Sequence, residues 1–307
     1  MLKHNRTYSN EADFRLRRSK LLTSIRSHSG VEFGLTSRSD RFNQEMKANH
    51  VFKLNHHLGF KRKSSVKHTP ILMNNLSPID WRNHKGVSYV TSVKDQGDCG
   101  DCFAFASATV LEYWSKRHGF PKSLSAQTIM DCTSGTRRPD VGCQGGLMEY
   151  VYEYAKHHPV PLDSQYPYFE KQKPCPRHRI YSSVKVYSYK VLIREENPKA
   201  ESQFEGILHK YGPISVGIDS STMDNYKSGV FPASLCTTDI DHAVTIVGYT
   251  KDAWIIKNSW GKDWGQDGYL YLERGKNACG VAEYAVYVDS AAPTHQKMST
   301  KWSMVFF

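Results

Sequence analysis

Residues 96–106 read QGDCGDCFAFA, two cysteines three apart with an aspartate directly before the second. Three readings compete for Cys102: a nucleophile, half of a Cys-x-x-Cys metal or redox pair, or the remnant of a site spoiled by Asp101. The residues that follow have helical spacing. CFAFASATVLEYWSKRHG places apolar side chains at 103, 106, 110, 111 and 114, and it stops at Gly119 behind Lys116, Arg117 and His118. That is the face of a buried helix closed by a basic last turn and a glycine. A thiol opening such a helix meets unpaired backbone N–H groups and the positive end of the helix dipole, both of which favour thiolate.

Cysteine use narrows the choice. Residues 1–74 hold none, and the seven cysteines stand at 99, 102, 132, 143, 175, 236 and 279. An odd count in a disulfide-type protein suggests three bridges and one free thiol. A zinc site needs a second close pair to supply its other ligands, and a redox motif needs a strand-helix-strand frame around it. Neither pattern is present in the sequence, so the metal and redox readings weaken.

Length and charge set the outer limits. At 307 residues the chain is long enough for two lobes, each with its own core. No run approaches the ~18 apolar residues of a membrane-spanning helix, and Met1-Leu2-Lys3-His4-Asn5-Arg6 lacks the apolar centre of a signal peptide. A soluble chain without membrane insertion is expected. The net charge of +11 is unevenly placed: residues 1–74 carry 15 Lys/Arg against 5 Asp/Glu, and the remainder 26 against 25. A basic nucleic-acid arm is one reading, but stacking aromatics are sparse there and no binding fold is evident. A detachable basic partner for the rest of the chain fits better. Residues 8–28 suggest an amphipathic helix, residues 55–78 have linker composition, and a boundary is expected near residue 75.

From about residue 183 the texture changes. SSVKVYSYKVLI, GPISVGI, HAVTIVGY, AWIIKNSW and DGYLYLERG are alternating or β-branched runs punctuated by Gly, Pro and Asp, the pattern of an antiparallel sheet or barrel. Activating a thiol requires a histidine on rigid structure. Most of the 14 histidines lie in polar stretches, but His242 opens the apolar run HAVTIVGY, and Asn258 ends the next one where it could accept the imidazole N–H.

QGDCGDCFAFA, GCQGG, DHAVTIVGY and KNSWGKDWGQDGY together resemble the papain-like cysteine proteases, most of all the cathepsin L type. The resemblance covers nearly all of residues 78–288 in family order, with His242 lying 140 residues after Cys102. It implies an α+β, two-lobed fold: a helical lobe over about 75–185, an antiparallel β-barrel lobe over about 186–288, and a C-terminal extension at 289–307. It implies Cys102 as nucleophile, His242 as acid and base, Asn258 as the residue orienting His242, and Gln96 as side-chain oxyanion donor beside the Cys102 N–H. Trp260 would cover the His–Asn contact. The implied bridges are Cys99–Cys143, Cys132–Cys175 and Cys236–Cys279, which leave Cys102 free. Gly145 and Gly146 would hold an extended peptide. Met148, Gly217, Ile240, Ala243 and Tyr284, with Asp241 beside them, would line the pocket for the side chain two residues before the scissile bond. These apolar walls suggest bulky apolar or aromatic side chains, with Tyr284 as a floor that could favour smaller ones. No cofactor or metal is implied. Protein and peptide substrates, the chain's own propeptide and cystatin-type inhibitors are the implied partners of a monomer.

Residues 1–74 resemble the family's inhibitory propeptide. HNRTY (4–8) matches its first helix; Asp13, Arg17, Leu21 and Ser24 fall at the spacing of its longer helical motif; and Gly34, Thr36, Arg38 and Asp40 stand in register with Gly-x-Asn-x-Phe-x-Asp. Six histidines in this segment gain charge as pH falls through about 6.5, which suggests acid loosening and cleavage near residue 75. The family's propeptide begins further upstream behind a signal peptide, so Met1 is expected not to be the biological start. Three disulfides point to a lysosomal or secreted route. Asn5 and Asn75 sit in N-x-Ser/Thr patterns.

The departures from the family signature are Asp101 and Phe103, where it has Ser or Ala and Trp or Tyr. Phe103 keeps an apolar ring. Asp101 could cap the helix or, as a charge ~7 Å from sulfur at an effective dielectric of ~20, oppose thiolate by about 2 kcal/mol. The expectation is a raised Cys102 pKa. An active endopeptidase, a catalytically weak homologue acting as a binding protein, and a standalone inhibitor are the three readings; the presence of both Cys102 and His242 favours the first.

Overall fold

The computed structural model describes residues 30–39, 76–120, 122–133, 142–176, 182–195 and 197–295, together with Ala12, Arg15, Leu16 and Ser19. Those four are helical, and the rest of the helix expected over 8–28 lies outside the described residues, as do HNRTY, Asp40, Asn5, Asn75 and the cleavage region.

Helix α1 (Cys102–Arg117) is buried from Cys102 through Ser115. The spacing in sequence suggests one apolar face, yet Ser107, Thr109 and Glu112 are buried too. A helix buried all round lies inside a protein, not on its surface, and α1 packs against both the other helices and the sheet. It stops where the basic last turn meets Gly119, whose φ of +85° suits a residue without Cβ. Two shorter helices, α2 (Ala126–Thr133) and α3 (Met148–His157), pack on the same side. Bridges Cys99–Cys143 and Cys132–Cys175 staple the loops around them.

The β-rich half holds β4 (Ser182–Ile193), β5 (Ile214–Ile218), β6 (Tyr226–Phe231), β7 (His242–Tyr249), β8 (Ala253–Lys257), β9 (Tyr269–Glu273) and β10 (Tyr284–His295), with helix α4 (Phe204–Tyr211) against it. Short strands β1 (Val31–Phe33), β2 (Ile79–Asp80) and β3 (Val160–Pro161) come from the earlier half. The order is β1-β6-β9-β8-β7-β5-β10-β4-β3, with β2 on β7. Every residue of β7 and β8 is buried, which is why both read as near-continuous apolar runs.

Two details differ from expectation. The sheet is not wholly antiparallel: β6 pairs parallel with β9, because the crossover between them carries β7 and β8. Residue 288 is also no structural end. β10 continues to His295, pairing Ala292 with Lys185 and Pro293 with Val184, and buried Val288 and Ala291 keep the strand on the core. The third bridge, Cys236–Cys279, ties the loop before β7 to the loop before β10.

Candidate active site

Cys102 opens α1 with a free, fully buried thiol. Its sulfur accepts the backbone N–H of Ala243 at 3.3 Å, which sets it against the residue that follows His242. His242 begins β7; β8 pairs alongside, with Thr245 opposite Lys257, so that Asn258 at the strand's end reaches back to the histidine. Nε2 of His242 lies 2.8 Å from Asn258 Oδ1, and that oxygen also accepts the Ser259 N–H at 2.8 Å. An oxygen accepting twice cannot be the donor, so Nε2 carries the proton and the basic lone pair is on Nδ1. Trp260 stacks on the imidazole with ring centroids 4.7 Å apart.

Gln96 is held as firmly. Its Oε1 accepts from Ser259 Oγ at 2.7 Å, its Nε2 donates to the Cys99 carbonyl at 2.8 Å, and its backbone N–H donates to the Ser259 carbonyl at 2.9 Å. The run Asn258-Ser259-Trp260 thus aligns His242 from one side and Gln96 from the other. Ser259 was not singled out in the sequence; its signal is only a short hydroxyl between two residues that were.

Asp101 does not cap α1. Its side chain makes no cap hydrogen bond and instead lies fully buried, with Oδ1 3.0 Å from Tyr168 Oη; that hydroxyl is also 2.8 Å from the Gln96 carbonyl oxygen. Tyr168, whose ring packs edge-on against Phe105 at 4.9 Å, carries no mark in the sequence that foretells this contact. Phe103 reaches under the glycine strip: a Cβ at Gly146 would stand 2.8 Å from its ring.

The expected pocket residues converge from four elements. Gly217 of β5 is the register partner of Ala243 of β7. Met148 and Tyr284 are both fully buried, and Tyr284 Oη accepts the Glu149 N–H at 3.4 Å, which sets the tyrosine against the start of α3. Asp241 turns to Ser220, which donates to its Oδ1 from both N–H and Oγ at 2.9 Å. Ile240 sits half-buried above the Cys236–Cys279 turn, near Gly280.

Burial dominates the electrostatics. It pushes the Cys102 thiol up to about 12, more than the Ala243 N–H lowers it. Burial also brings His242 down to about 3, helped by the Arg38 charge and opposed by Asn258. In this closed arrangement both groups rest neutral. Asp241 is raised to about 6 by the same cause.

A segment from the basic leader lies over this machinery. β1 pairs antiparallel with β6, Gly34 N–H donates to the Asn225 carbonyl, and Thr36 Oγ1 donates to the Asp224 carbonyl at 2.6 Å. Arg38 stands where the resembling motif has phenylalanine. Its guanidinium lies 4.0 Å from the centroid of the Trp260 ring, and its Nε donates to Asp224 Oδ1 at 2.8 Å. A cation stacked on an indole face takes the place of an aromatic pair.

Beneath the site, Glu112 of α1 and Lys257 of β8 face each other through Thr91. Thr91 Oγ1 donates to Glu112 Oε2, and Lys257 Nζ donates to Thr91 Oγ1 at 3.1 Å and Thr109 Oγ1 at 3.3 Å. Glu112 Oε1 also accepts the Leu124 N–H at 2.9 Å. A cavity of about 110 Å³ adjoins this pair between α1 and β7.

Residues 77–289 match the model of the papain family of cysteine proteases. The chain belongs to that family. Cathepsin K of Gallus gallus is 40% identical over 220 residues, covering 68% of this chain and 62% of that protein. The thiol protease SEN102 of Hemerocallis sp. is 33% identical over 287 residues, covering 88% and 77%. Among solved structures, digestive procathepsin L 3 of Tenebrio molitor larval midgut superposes with a TM-score of 0.75 at 28% identity, covering 94% of this chain and 96% of that one. The papain-like α+β, two-lobed fold and the zymogen character of its relatives therefore extend to this chain.

Proposed function

We propose that this cysteine protease is an endopeptidase of the cathepsin L type that works through a Cys102–His242 pair and is released from its own leader by acid. The observation that carries this reading is the arrangement around one free thiol. Cys102 sits at the start of a buried helix, its sulfur against the β7 residue next to His242, and Asn258 fixes which imidazole nitrogen is basic.

The reaction follows from these parts. Nδ1 of His242 takes the thiol proton, and the thiolate attacks the peptide carbonyl. Gln96 Nε2 and the Cys102 N–H receive the oxyanion, and the imidazolium returns its proton to the leaving amine. Water then adds to the thioester with His242 as base, and Cys102 is regenerated. The test is labelling with a thiol-directed epoxide after acid treatment, followed by mass mapping. Label on Cys102 is expected; a fully processed chain that takes no label supports the binding-protein reading instead.

Specificity rests on Met148, Gly217, Ile240, Ala243 and Tyr284. The walls are apolar, and the Asp241 carboxylate beside Ile240 and Ala243 is engaged by Ser220. A fluorogenic peptide panel is expected to rank bulky apolar side chains first at the position two residues before the cut. Arginine ranking first there would refute the pocket assignment.

Acid activation follows from the same geometry. The closed form holds His242 neutral down to about 3. A histidine opened to solvent binds its proton near 6.5. A group whose closed-state pKa is depressed favours opening as pH falls through the window between those values. Arg38 beside Trp260 raises the cost of a second cation there, and the leader's six histidines add positive charge over the same range. Processing of the purified zymogen is expected to run faster at pH 4.5 than at pH 7, read by gel and by onset of peptidase activity; equal rates would sink the proposal. Three disulfides support a lysosomal or secreted route, and cystatin-type proteins remain the proposed inhibitors of a monomer.

A further inference from the structure

The chain Asp101–Tyr168–Gln96 poses a proton-counting problem. Tyr168 Oη lies 2.8 Å from the Gln96 carbonyl oxygen and 3.0 Å from Asp101 Oδ1, and two hydrogen bonds need two protons. The carbonyl has none to give and the phenol has one. An ionised Asp101 would have to share that single proton with the carbonyl. It would do so fully buried, with Oδ2 lacking a hydrogen-bond partner among the described residues. The charges that face it are acidic: Asp131 from α2, Glu170, and Asp95 on the far side of Tyr168. Cys102 is its neighbour in the chain. Only the Tyr168 hydroxyl and a backbone N–H favour the anion against burial and these charges, whereas a proton on the carboxyl completes both bonds.

We propose that Asp101 is a neutral carboxylic acid that donates to Tyr168, which donates to the Gln96 carbonyl, making Asp101 and Tyr168 positioning residues for the oxyanion side of the site. Burial, the largest influence on Asp101, pushes it well above the usual carboxylate range, in the same direction. Two consequences follow. Asp101 places no charge against the Cys102 thiolate, and the Gln96 loop is tied to the start of α1 by side chains that touch no substrate. The positioning role rests on the reading of Gln96 as oxyanion donor.

The test uses the acid-processed enzyme and two readouts. Amide hydrolysis needs the oxyanion site. Alkylation by iodoacetamide needs the thiolate but forms no oxyanion. For Asp101→Asn, which carries no charge and still donates, the alkylation rate plotted against pH is expected to coincide with wild type. An acid limb displaced downward by half a unit or more would show that Asp101 is ionised and overturn the proposal. For Tyr168→Phe and Asp101→Ala, kcat is expected to fall about tenfold with KM within twofold and the alkylation profile unmoved, and Asp101→Asn is expected to recover most of what Asp101→Ala loses. Undiminished kcat in Tyr168→Phe overturns the positioning role. Full activity in Gln96→Ala overturns the oxyanion reading itself, while a coincident Asp101→Asn profile in the same experiment still supports the neutral acid.

Discussion

His242→Ala is expected to lower kcat on a peptide amide by on the order of 10⁶, the scale seen when either member of a nucleophile–histidine pair is removed from a hydrolase. The size follows from two roles resting on one side chain: His242 must take the thiol proton before attack and give it to the amine afterwards. Without Nδ1 the thiol has no partner for its proton. The helix dipole and the Ala243 N–H are what remain to favour thiolate, and burial works against them. Epoxide labelling of Cys102 should slow in parallel. Asn258→Ala should cost far less, because Trp260 still stacks on the ring and holds its plane. Single-turnover rates on one fluorogenic amide would check the order; a His242→Ala enzyme retaining more than a hundredth of wild-type kcat would remove the histidine from the mechanism.

How much of this could be read from sequence depends on how local the cause is. Cys102, His242 and Asn258 stand at the ends of strongly patterned elements, so periodicity marks them as candidates, while their roles, and Trp260 itself, are implied only by the resemblance to the papain-like family. Asp101 shows the limit. Two local outcomes were open to it, capping α1 or opposing the thiolate, and what decides between them is Tyr168, distant in sequence and brought in by the loop that Cys132–Cys175 staples. Tertiary contacts of this kind leave no periodic trace. Glu112 and Lys257 fail for another reason. Each is a lone charge among apolar neighbours in sequence, and only the packing of α1 on β7, with Lys257 of the adjacent β8 reaching Thr109 of α1, shows that both ends are buried. Arg38 is intermediate: its register was legible, but its cation–π role required seeing Trp260 beneath it.

Lys257→Met is expected to destabilise the folded chain by about 3–5 kcal/mol, roughly 6–20 °C in Tm. Lys257 is lowered to about 8 and Glu112 is raised, burial being the largest cause for both. Each shift runs toward the neutral form, so desolvation outweighs the attraction between the two. The linkage signs agree: a lysine depressed when folded gives a contribution that grows as pH rises from about 8 toward its ordinary value, and a raised glutamate one that grows as pH falls. The pair thus adds little net stability at neutral pH, yet removing one partner strands a charge. Glu112 would keep the Leu124 N–H and Thr91, but only Lys94, already paired with Asp163, would be left to offset it. Adding Glu112→Gln should restore most of the loss, because the amide oxygen can still accept from Leu124 and its nitrogen can donate to a reoriented Thr91. The adjoining cavity of about 110 Å³ gives the methionine room to settle without displacing α1. A double-mutant cycle on thermal unfolding decides the matter: coupling of 2 kcal/mol or more, as neighbours in one buried network give at about 0.5–3 kcal/mol, is the expected result. Independent effects of the two substitutions would mean that α1 and β8 are held together by apolar packing alone.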